Sequence, residues 1–345
     1  MKILFSVIFA ITSLVSFAQN NAAGWYKMLN GKIDKYSVTL HLHKAGHTYS
    51  GYYYYDSKQE PIYFMGEDTS VKGKIKLIAF PPGDNSQQES LVFSCANGKA
   101  TGTWKTGSKQ NLIFTAIELP SSEFSYVYTT GSVKLRPKIK KSPVASYEAA
   151  SVWPTGNTVK ENFIKKVIRD AFIANNQSAE EIGALLLKEK RNFLNEYLRE
   201  NKDIKDIELK GTSFAYNMEQ DNKMMIVYGS PNILTMAYFN YSYTGGAHGN
   251  YGTSYYSLDL LNRKQLQLSD IITLDGIPVL KSLLEKSFRK QFQLKATDSL
   301  HEAGLFENVI EPNENFYLTS TGIGFNYVPY EIGPYAMGEI TILFH

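Results

Sequence analysis

A period-two alternation of apolar and polar residues runs from Trp25 to Leu119 and restricts this half of the chain to short β-strands. In YSVTLHLH, residues 36–43, Tyr, Val and two Leu alternate with Ser, Thr and two His. That pattern is typical of a strand with one buried face. The dipeptide Asn97-Gly98 predicts a type I′ hairpin turn, because both central residues of that turn need positive φ. We therefore expect an antiparallel barrel or sandwich of about eight strands over residues 22–120.

Helical patterns enter in the second half of the chain. Thr158 with Glu161, and Ser178 with Glu181, have the spacing of capping boxes, in which hydroxyl and carboxylate satisfy each other's backbone N–H groups. Apolar residues recur at helical spacing behind both pairs. A third helical pattern covers residues 278–292, and strand patterns fill the remainder. These features predict an α+β domain over residues 145–345, with helices packed on an antiparallel sheet.

The segment between the two halves has a different composition. Residues 121–144 include KLRPKIKKSP, which carries five positive charges and no acid. A basic functional patch is one interpretation, and we favour a solvated linker joining two domains.

The N-terminus indicates export. One lysine, an apolar run from Ile3 to Val15, and small residues at Ser16 and Ala18 have the order of a signal peptide cleaved after residue 18. The run is shorter than the roughly 20 residues of a transmembrane helix, so we expect no membrane anchor after cleavage. We expect a secreted or periplasmic protein.

The net charge limits the classes of binding partner, and the cysteine count limits the covalent bonds that could stabilise the fold. Removal of residues 1–18 leaves 35 basic and 33 acidic residues, a balance that favours neither nucleic acid nor an anionic membrane as partner. The single cysteine cannot form an internal disulfide, so stability has to come from packed cores.

Two clusters in the N-terminal half are candidate sites. His41 and His43 share one strand face, and His47 follows the next turn, so the three could bind a metal. The simpler explanation is that these histidines are polar residues at the outward positions of a hairpin. In GYYYYD, Tyr52 and Tyr54 share a face, and could form an exposed platform for sugar rings or a protein partner. Cross-strand aromatic packing is the alternative interpretation of the tyrosines.

The segment YTGGAHGNYG connects two strand patterns. Its glycines permit left-handed dihedrals and close backbone approach, which a shaped turn requires, and His248 has no local partner to orient it as a base. The sequence contains no serine nucleophile elbow, HExxH helix, phosphate-binding loop or EF-hand loop. We therefore expect no catalysis and no cofactor, with conformational and binding roles both open for this loop.

Two long segments carry a family resemblance. YSYTGGAHGNYGTSYYSLDLLNRKQLQLSDII and FYLTSTGIGFNYVPYEIGPYAMGEITI resemble the domain of unknown function at the extracytoplasmic end of lysozyme-sensing anti-sigma factors. The stretch from YEAASVWPTGN through the two capped helices resembles the companion domain, which also precedes the catalytic domain of some peptidoglycan deacetylases. The sequence lacks the Asp-Asp and paired-histidine motifs of that catalytic domain, so the resemblance does not imply deacetylation. The N-terminal β domain is similar to accessory domains of secreted relatives.

The resemblance implies a non-catalytic binding module, whose partner is a lysozyme-type cell-wall hydrolase or a peptidoglycan fragment. The alternative is a cell-wall glycan hydrolase or deacetylase with an unrecognised site. We expect the GGAHG and PYEIGPYA motifs to meet on one face, with a pairing of His248 and Glu331 as one arrangement and a structural corner around Glu331 as the other. The binding candidates in the two motifs are Gly245, Gly246, His248, Gly249, Tyr330, Glu331 and Tyr335.

Overall fold

The structure is a computed structural model and confirms an N-terminal barrel followed by an α+β region. It describes residues 24–81, 88–107, 111–120, 123–174, 179–207, 209 and 213–344. The predicted signal peptide, and Ser178 of the second predicted capping box, lie outside the described residues.

Eight antiparallel strands close into a barrel in which each strand pairs with its neighbours in sequence and β1 pairs with β8. The strands are β1 (Trp25–Ile33), β2 (Tyr36–Ala45), β3 (Thr48–Tyr55), β4 (Ile62–Asp68), β5 (Lys74–Phe80), β6 (Glu89–Ala96), β7 (Lys99–Thr106) and β8 (Leu112–Leu119). Asn97 and Gly98 have φ of 51° and 72° and connect β6 to β7, which confirms the predicted two-residue turn. In β2, Val38, Leu40 and Leu42 belong to the barrel core, as the alternation predicted. The polar positions Thr39, His41 and His43 are buried as well, so the strand has two buried faces and not the one expected.

A six-stranded sheet follows the barrel, with the order β14-β13-β12-β11-β10-β9. Its strands are β9 (Phe124–Lys134), β10 (Val144–Pro154), β11 (Met218–Gly229), β12 (Ile233–Tyr243), β13 (Asn250–Asp259) and β14 (Lys264–Gln265). Two helices, α1 (Val159–Phe172) and α2 (Ile182–Glu200), connect β10 to β11 and pack on one face. Because a helical crossover returns the chain in the same direction, β10 and β11 are parallel, whereas we predicted an antiparallel sheet.

The C-terminal residues form a smaller layer beside β13. Strands β15 (Phe316–Leu318), β16 (Ile323–Tyr327) and β17 (Ile340–Phe344) make a three-stranded antiparallel sheet, and α3 (Ile277–Gln291) packs on it through Leu280, Leu284 and Phe288. Short 3₁₀ helices occupy Ser213–Tyr216, Leu268–Asp270, Leu274–Gly276, Leu300–Ala303 and Tyr335–Met337.

Helix α1 begins at its predicted capping box, whereas helix α2 begins later than its predicted capping box. The Thr158 hydroxyl accepts from the Glu161 N–H, and the Glu161 carboxylate accepts from the Thr158 N–H, so the first capping box is confirmed. Helix α2 begins after Glu181, later than predicted, and the Glu181 carboxylate accepts instead from the Trp153 indole N–H. The Glu181 carboxylate, which the sequence predicted to cap the helix, therefore contacts β10 instead.

The predicted linker is partly wrong. Residues 124–134 are strand β9, which pairs with β10 along eleven positions from Lys134 with Val144 to Phe124 with Pro154. Only the connection between β9 and β10 has the exposed basic character that suggested a linker, at Lys138, Lys140 and Lys141. The segment SYVYTTGSV is rich in aromatic and β-branched residues, which favour strands, and Tyr126 within it is buried.

The outer wall of the barrel packs on the face of the sheet opposite the helices. Tyr52 of β3 forms a core cluster with Met225, Val227 and Ala237. At the same interface, the Ile226 N–H donates to His43 Nε2 at 3.2 Å. Pairing of β11 with β10 ends at Met224, so the barrel histidine supplies an acceptor beyond the end of that ladder. No helix within the described residues is long and apolar enough to span a bilayer.

His43 makes the stability of this interface dependent on pH. Its Nδ1–H donates to the Ser50 carbonyl at 3.2 Å, so the ring is neutral with Nε2 as acceptor. Burial is the main reason that the pKa of His43 falls to about 3 and that of His41 to about 4. Unfolded histidine titrates near 6.5, so below that pH only the unfolded chain gains these protons, and stability decreases as the pH falls.

We predict that His43→Gln, which retains an acceptor, reduces the pH dependence of stability between pH 6.5 and 4.5. The free energy of unfolding should lose about 1.4 kcal/mol less per pH unit than in the wild type, because one titrating histidine is gone. Chemical denaturation at several pH values measures this slope. His47→Gln is the matched control, since the His47 side chain is 95% exposed. Equal slopes for His43→Gln and wild type would contradict the assignment.

We also predict that trypsin cuts first at Lys138, Lys140 or Lys141, which are exposed between β9 and β10. The two fragments should remain associated after cleavage, because β9 stays paired with β10 and the barrel wall stays buried on the sheet. A denaturing gel should therefore show two bands, while size exclusion under native conditions shows one peak. Separation into two native species would mean that the barrel and the sheet are independent domains.

Candidate functional site

The two family motifs meet at one end of the six-stranded sheet, as predicted. The His248 ring stacks on the Tyr335 ring with centroids 3.9 Å apart and an interplanar angle of 25°. Tyr330 lies beside both, with ring centroids 6.5 Å from His248 and 5.7 Å from Tyr335. We call these three rings the aromatic cluster.

The GGAHG loop joins β12 to β13 and takes its shape from its glycines. Gly245 and Gly246 have φ of 89° and 102°, a region that other residues rarely adopt. A Cβ on Gly249 would lie 2.5 Å from the Tyr241 ring, so glycine is needed for that ring to pack against the loop. The sequence therefore indicated a conformational role for these glycines correctly.

Hydrogen bonds to Glu331 hold the PYEIGPYA segment in a fixed corner. Glu331 accepts from the Asn313 amide at 2.7 Å and from the Val328 N–H at 2.9 Å. Of the two arrangements, the structure has the structural corner around Glu331. The ring nitrogens of His248 contact the Gly249 carbonyl and the Tyr330 hydroxyl instead of this carboxylate. Beyond the corner, Glu339 accepts from Thr253 at 3.0 Å and fixes this segment to β13.

Tyr330 is presented to solvent by an unusual backbone. Its φ is 72°, and its N–H donates to the Gly333 carbonyl at 3.0 Å. Bulky side chains are rare in this left-handed region, which costs about 1–3 kcal/mol and persists only where surrounding contacts impose it. The side chain is nevertheless 56% exposed.

Hydrogen bonds orient the imidazole of His248. Its Nδ1–H donates to the Gly249 carbonyl at 3.0 Å, and the Tyr335 hydroxyl donates to the same carbonyl at 2.8 Å. His248 Nε2 is 3.5 Å from the Tyr330 hydroxyl, longer than a strong hydrogen bond. The ring therefore offers Nε2 as an acceptor toward the surface.

A groove of about 420 Å³ runs from this loop onto the end of the sheet. Tyr241 and Tyr243 of β12 and His248 supply its aromatic part, and Ser146 of β10 and Glu219 of β11 lie beside them, with Glu219 the register partner of Tyr243. Farther along the strands, Asp221 follows Glu219 on the same face of β11 and is the register partner of Glu148.

Sequence reasoning missed a charged cluster on the same face of the sheet, farther along β10 and β11 from the groove. Lys223 Nζ lies 2.6 Å from Asp221 Oδ2 and 3.0 Å from Glu148 Oε1. Burial raises the pKa of Asp221, with partial opposition from Lys223. Burial alone would lower the pKa of Lys223, but the two carboxylates outweigh it and hold that pKa above its usual value. The only sequence signal was Asp221 and Lys223 two positions apart in a strand, and Glu148 is distant in sequence.

The candidate tyrosines of the barrel are not on the surface. Tyr52 and Tyr54 are 5% and 6% exposed, because the barrel face that bears them is covered by the sheet. Tyr52 packs across the strands on Tyr63 with centroids 5.5 Å apart, in agreement with the alternative of aromatic packing. The prediction of an exposed tyrosine platform is therefore wrong.

The candidate histidines are likewise engaged elsewhere. His41 is buried and its Nδ1 lies 2.8 Å from the Tyr26 hydroxyl, while both nitrogens of His43 have partners. His47 is exposed and pairs with Asp68 at 3.1 Å. Over the described ranges, no three His, Cys, Asp or Glu side chains come together in an arrangement that could hold a metal ion.

Comparison with known proteins covers the part of the chain that contains both motifs. Residues 145–251 match the family described as "Deacetylase PdaC", and residues 269–345 match the family described as "Protein of unknown function (DUF3298)". No curated protein matches the chain.

Solved structures of DUF3298 proteins are also similar. A family member from Bacteroides fragilis NCTC 9343 is 26% identical, with a TM-score of 0.58 over 64% of this chain and 89% of its own. A DUF3298 family protein from Pseudomonas aeruginosa PAO1 is 13% identical, with a TM-score of 0.42 over the same shares of the two chains. From residue 145 onward the chain is thus similar to the PdaC and DUF3298 families, which confirms the resemblance carried by the GGAHG and PYEIGPYA motifs.

Proposed function

We propose that the protein is a secreted or periplasmic binding module without catalytic activity, and that its aromatic cluster contacts the partner. The partner is a lysozyme-type cell-wall hydrolase or a peptidoglycan fragment. The observation that carries this proposal is the exposed Tyr330, held in a left-handed backbone beside His248 and Tyr335.

Rigid aromatic side chains are effective anchors for binding. Tyrosine offers a large contact area and loses little rotamer freedom, and interface hot spots are enriched in it. Here the hydrogen bonds of Glu331 to Val328 and Asn313 fix the corner before any partner arrives. A preformed corner lowers the ordering cost of association, which supports a binding role for the strain stored at Tyr330.

The family resemblance supports the choice of a cell-wall partner. Both motifs that shape the cluster are the segments that resemble the extracytoplasmic domain of lysozyme-sensing anti-sigma factors, and the matched ranges contain them. The alternative, a glycan hydrolase or deacetylase, requires product formation and is addressed by the same experiment.

We predict that Tyr330→Ala weakens binding about 30-fold, because loss of a central tyrosine anchor costs about 2 kcal/mol. The measurement is calorimetric titration of the protein with lysozyme and, separately, with soluble peptidoglycan fragments. Tyr36→Ala is the matched control, since Tyr36 is 49% exposed on the barrel, and it should bind as the wild type does.

Product analysis of the same mixtures distinguishes binding from catalysis. Saturable binding without new products supports the proposed module. Released acetate or cleaved glycan would favour the enzymatic alternative. Absence of binding to both ligands, or equal effects of Tyr330→Ala and Tyr36→Ala, would refute the proposal.

A further inference from the structure

One side of the barrel faces away from the six-stranded sheet. Strands β2 and β3 pack on the sheet, through His43 and Tyr52. In the closed order of the barrel, β6 and β7 lie opposite these two strands, and β8 lies beside β7. We call the outward positions of β6, β7 and β8 the outer wall. They are the even-numbered residues 90–96 and the odd-numbered residues 99–105 and 113–117.

Two isoleucines of the outer wall are exposed to solvent. Ile113 is 70% exposed and Ile117 is 52% exposed, and both lie on β8 with Thr115 between them on the same face. Four residues of a strand span about 13 Å, so the two side chains fit within one contact area. Register places Lys99 of β7 beside Ile117 and Thr103 beside Ile113. The apolar side chains therefore stand among polar and basic neighbours.

Five lysines surround these isoleucines. Lys99 and Lys105 lie near the two ends of β7, the middle strand of the wall. Lys32 of β1 flanks β8 on one side, and Lys74 and Lys76 of β5 flank β6 on the other. All five side chains are exposed. Because the barrel curves, the flanking lysines stand at the borders of the wall, from which their long side chains can reach a flat partner.

The carboxylates of these strands do not offset the lysines. The outward positions of β6, β7 and β8, all within the described residues, include no Asp or Glu. Glu89 of β6 accepts from the Trp104 indole N–H at 3.0 Å, and Glu118 of β8 pairs with Lys27 at 2.6 Å. The acidic residues at the borders are Asp34, after β1, and Glu67, the register partner of Lys76. The wall thus has a local excess of positive charge.

This combination of charge and apolar exposure fits the surface of an anionic bilayer. A soluble polyanion would contact the lysines and leave Ile113 and Ile117 in water. At a bilayer, lysines meet anionic headgroups while exposed apolar side chains enter the boundary with the acyl chains, and both contributions favour binding. The balanced net charge of the whole chain led us to expect no such partner, but docking depends on the local distribution of charge.

We propose that the outer wall is a peripheral contact site for an anionic lipid bilayer. Ile113 and Ile117 enter the headgroup region, and the surrounding lysines contact lipid phosphates. This role goes beyond the proposed function and does not rest on it, since no residue of the aromatic cluster belongs to the outer wall.

The test is sedimentation of the full protein with vesicles. One set contains phosphatidylglycerol and phosphatidylcholine in equal amounts, and the other contains phosphatidylcholine alone. We expect binding to the anionic vesicles, and binding about 10-fold weaker or less to the neutral ones, because the lysines lose their attraction to the surface. Added salt should weaken binding to the anionic vesicles.

A double lysine variant tests the charge of the wall. Lys99→Gln with Lys105→Gln should weaken binding to the anionic vesicles about 30-fold, the value for two lysines at an anionic surface. Lys138→Gln with Lys140→Gln is the matched control, because it removes the same charge from exposed positions between β9 and β10. The control variant should bind as the wild type does.

A double isoleucine variant tests the apolar contact. Ile113→Thr with Ile117→Thr should weaken binding to the anionic vesicles about 10-fold, because less apolar surface enters the boundary. Threonine is also β-branched and suits a strand, so the thermal midpoint of unfolding should not change. Leu261→Thr with Leu274→Thr is the matched control at residues 72% and 92% exposed outside the barrel, and it should bind as the wild type does.

Several results would overturn the proposal. They are absence of binding to anionic vesicles, equal losses in the lysine variant and its control, and wild-type binding by the isoleucine variant. In the last case, lysine-dependent binding of soluble polyphosphate would assign the wall to a polyanion instead. Tyr330→Ala should bind the vesicles as the wild type does, so this proposal and the proposed function can fail separately.

Discussion

Burial of one outer wall of the barrel against the six-stranded sheet is the constraint on which the rest of the structure depends. A barrel wall usually faces solvent, but here Tyr52, His41 and His43 are covered. The bond from the Ile226 N–H to His43 Nε2 joins the two parts where the β10 ladder ends. Because the barrel covers one end of this face, the groove and the aromatic cluster form at the other end, where the sheet remains open.

Local chemistry could be predicted from the sequence wherever a few adjacent residues determine the structure. Asn97 and Gly98 specify their turn through positive φ, and Thr158 with Glu161 specify the start of α1 through reciprocal hydrogen bonds. The alternation in β2 correctly identified its inward face. At the site, the shape of the glycine-rich loop and the bond from the Val328 N–H to Glu331 could be predicted for the same reason, because each depends on residues close in sequence.

Features created by contact between distant segments could not be predicted in this way. From one sequence alone, a polar strand face is expected to be exposed to solvent. The histidines of β2 are buried nevertheless, because tyrosines and a backbone N–H from other segments contact them. The cluster of Glu148, Asp221 and Lys223 depends on a parallel pairing across two helices. The sequence prediction missed strand β9 because the basic residues that follow it dominate the segment, although β9 itself is rich in aromatic and β-branched residues.

The contact between the barrel and β9 also bears on self-association. Strand β9 is the outermost strand of its sheet and eleven residues long, a length at which unpaired N–H and C=O groups invite strand addition by another chain. Barrel residues approach it so closely that a Cβ on Gly24 would lie 2.7 Å from the Tyr126 carbonyl oxygen. This close approach places the barrel against β9 and leaves less room there for a strand of another chain to pair with that edge.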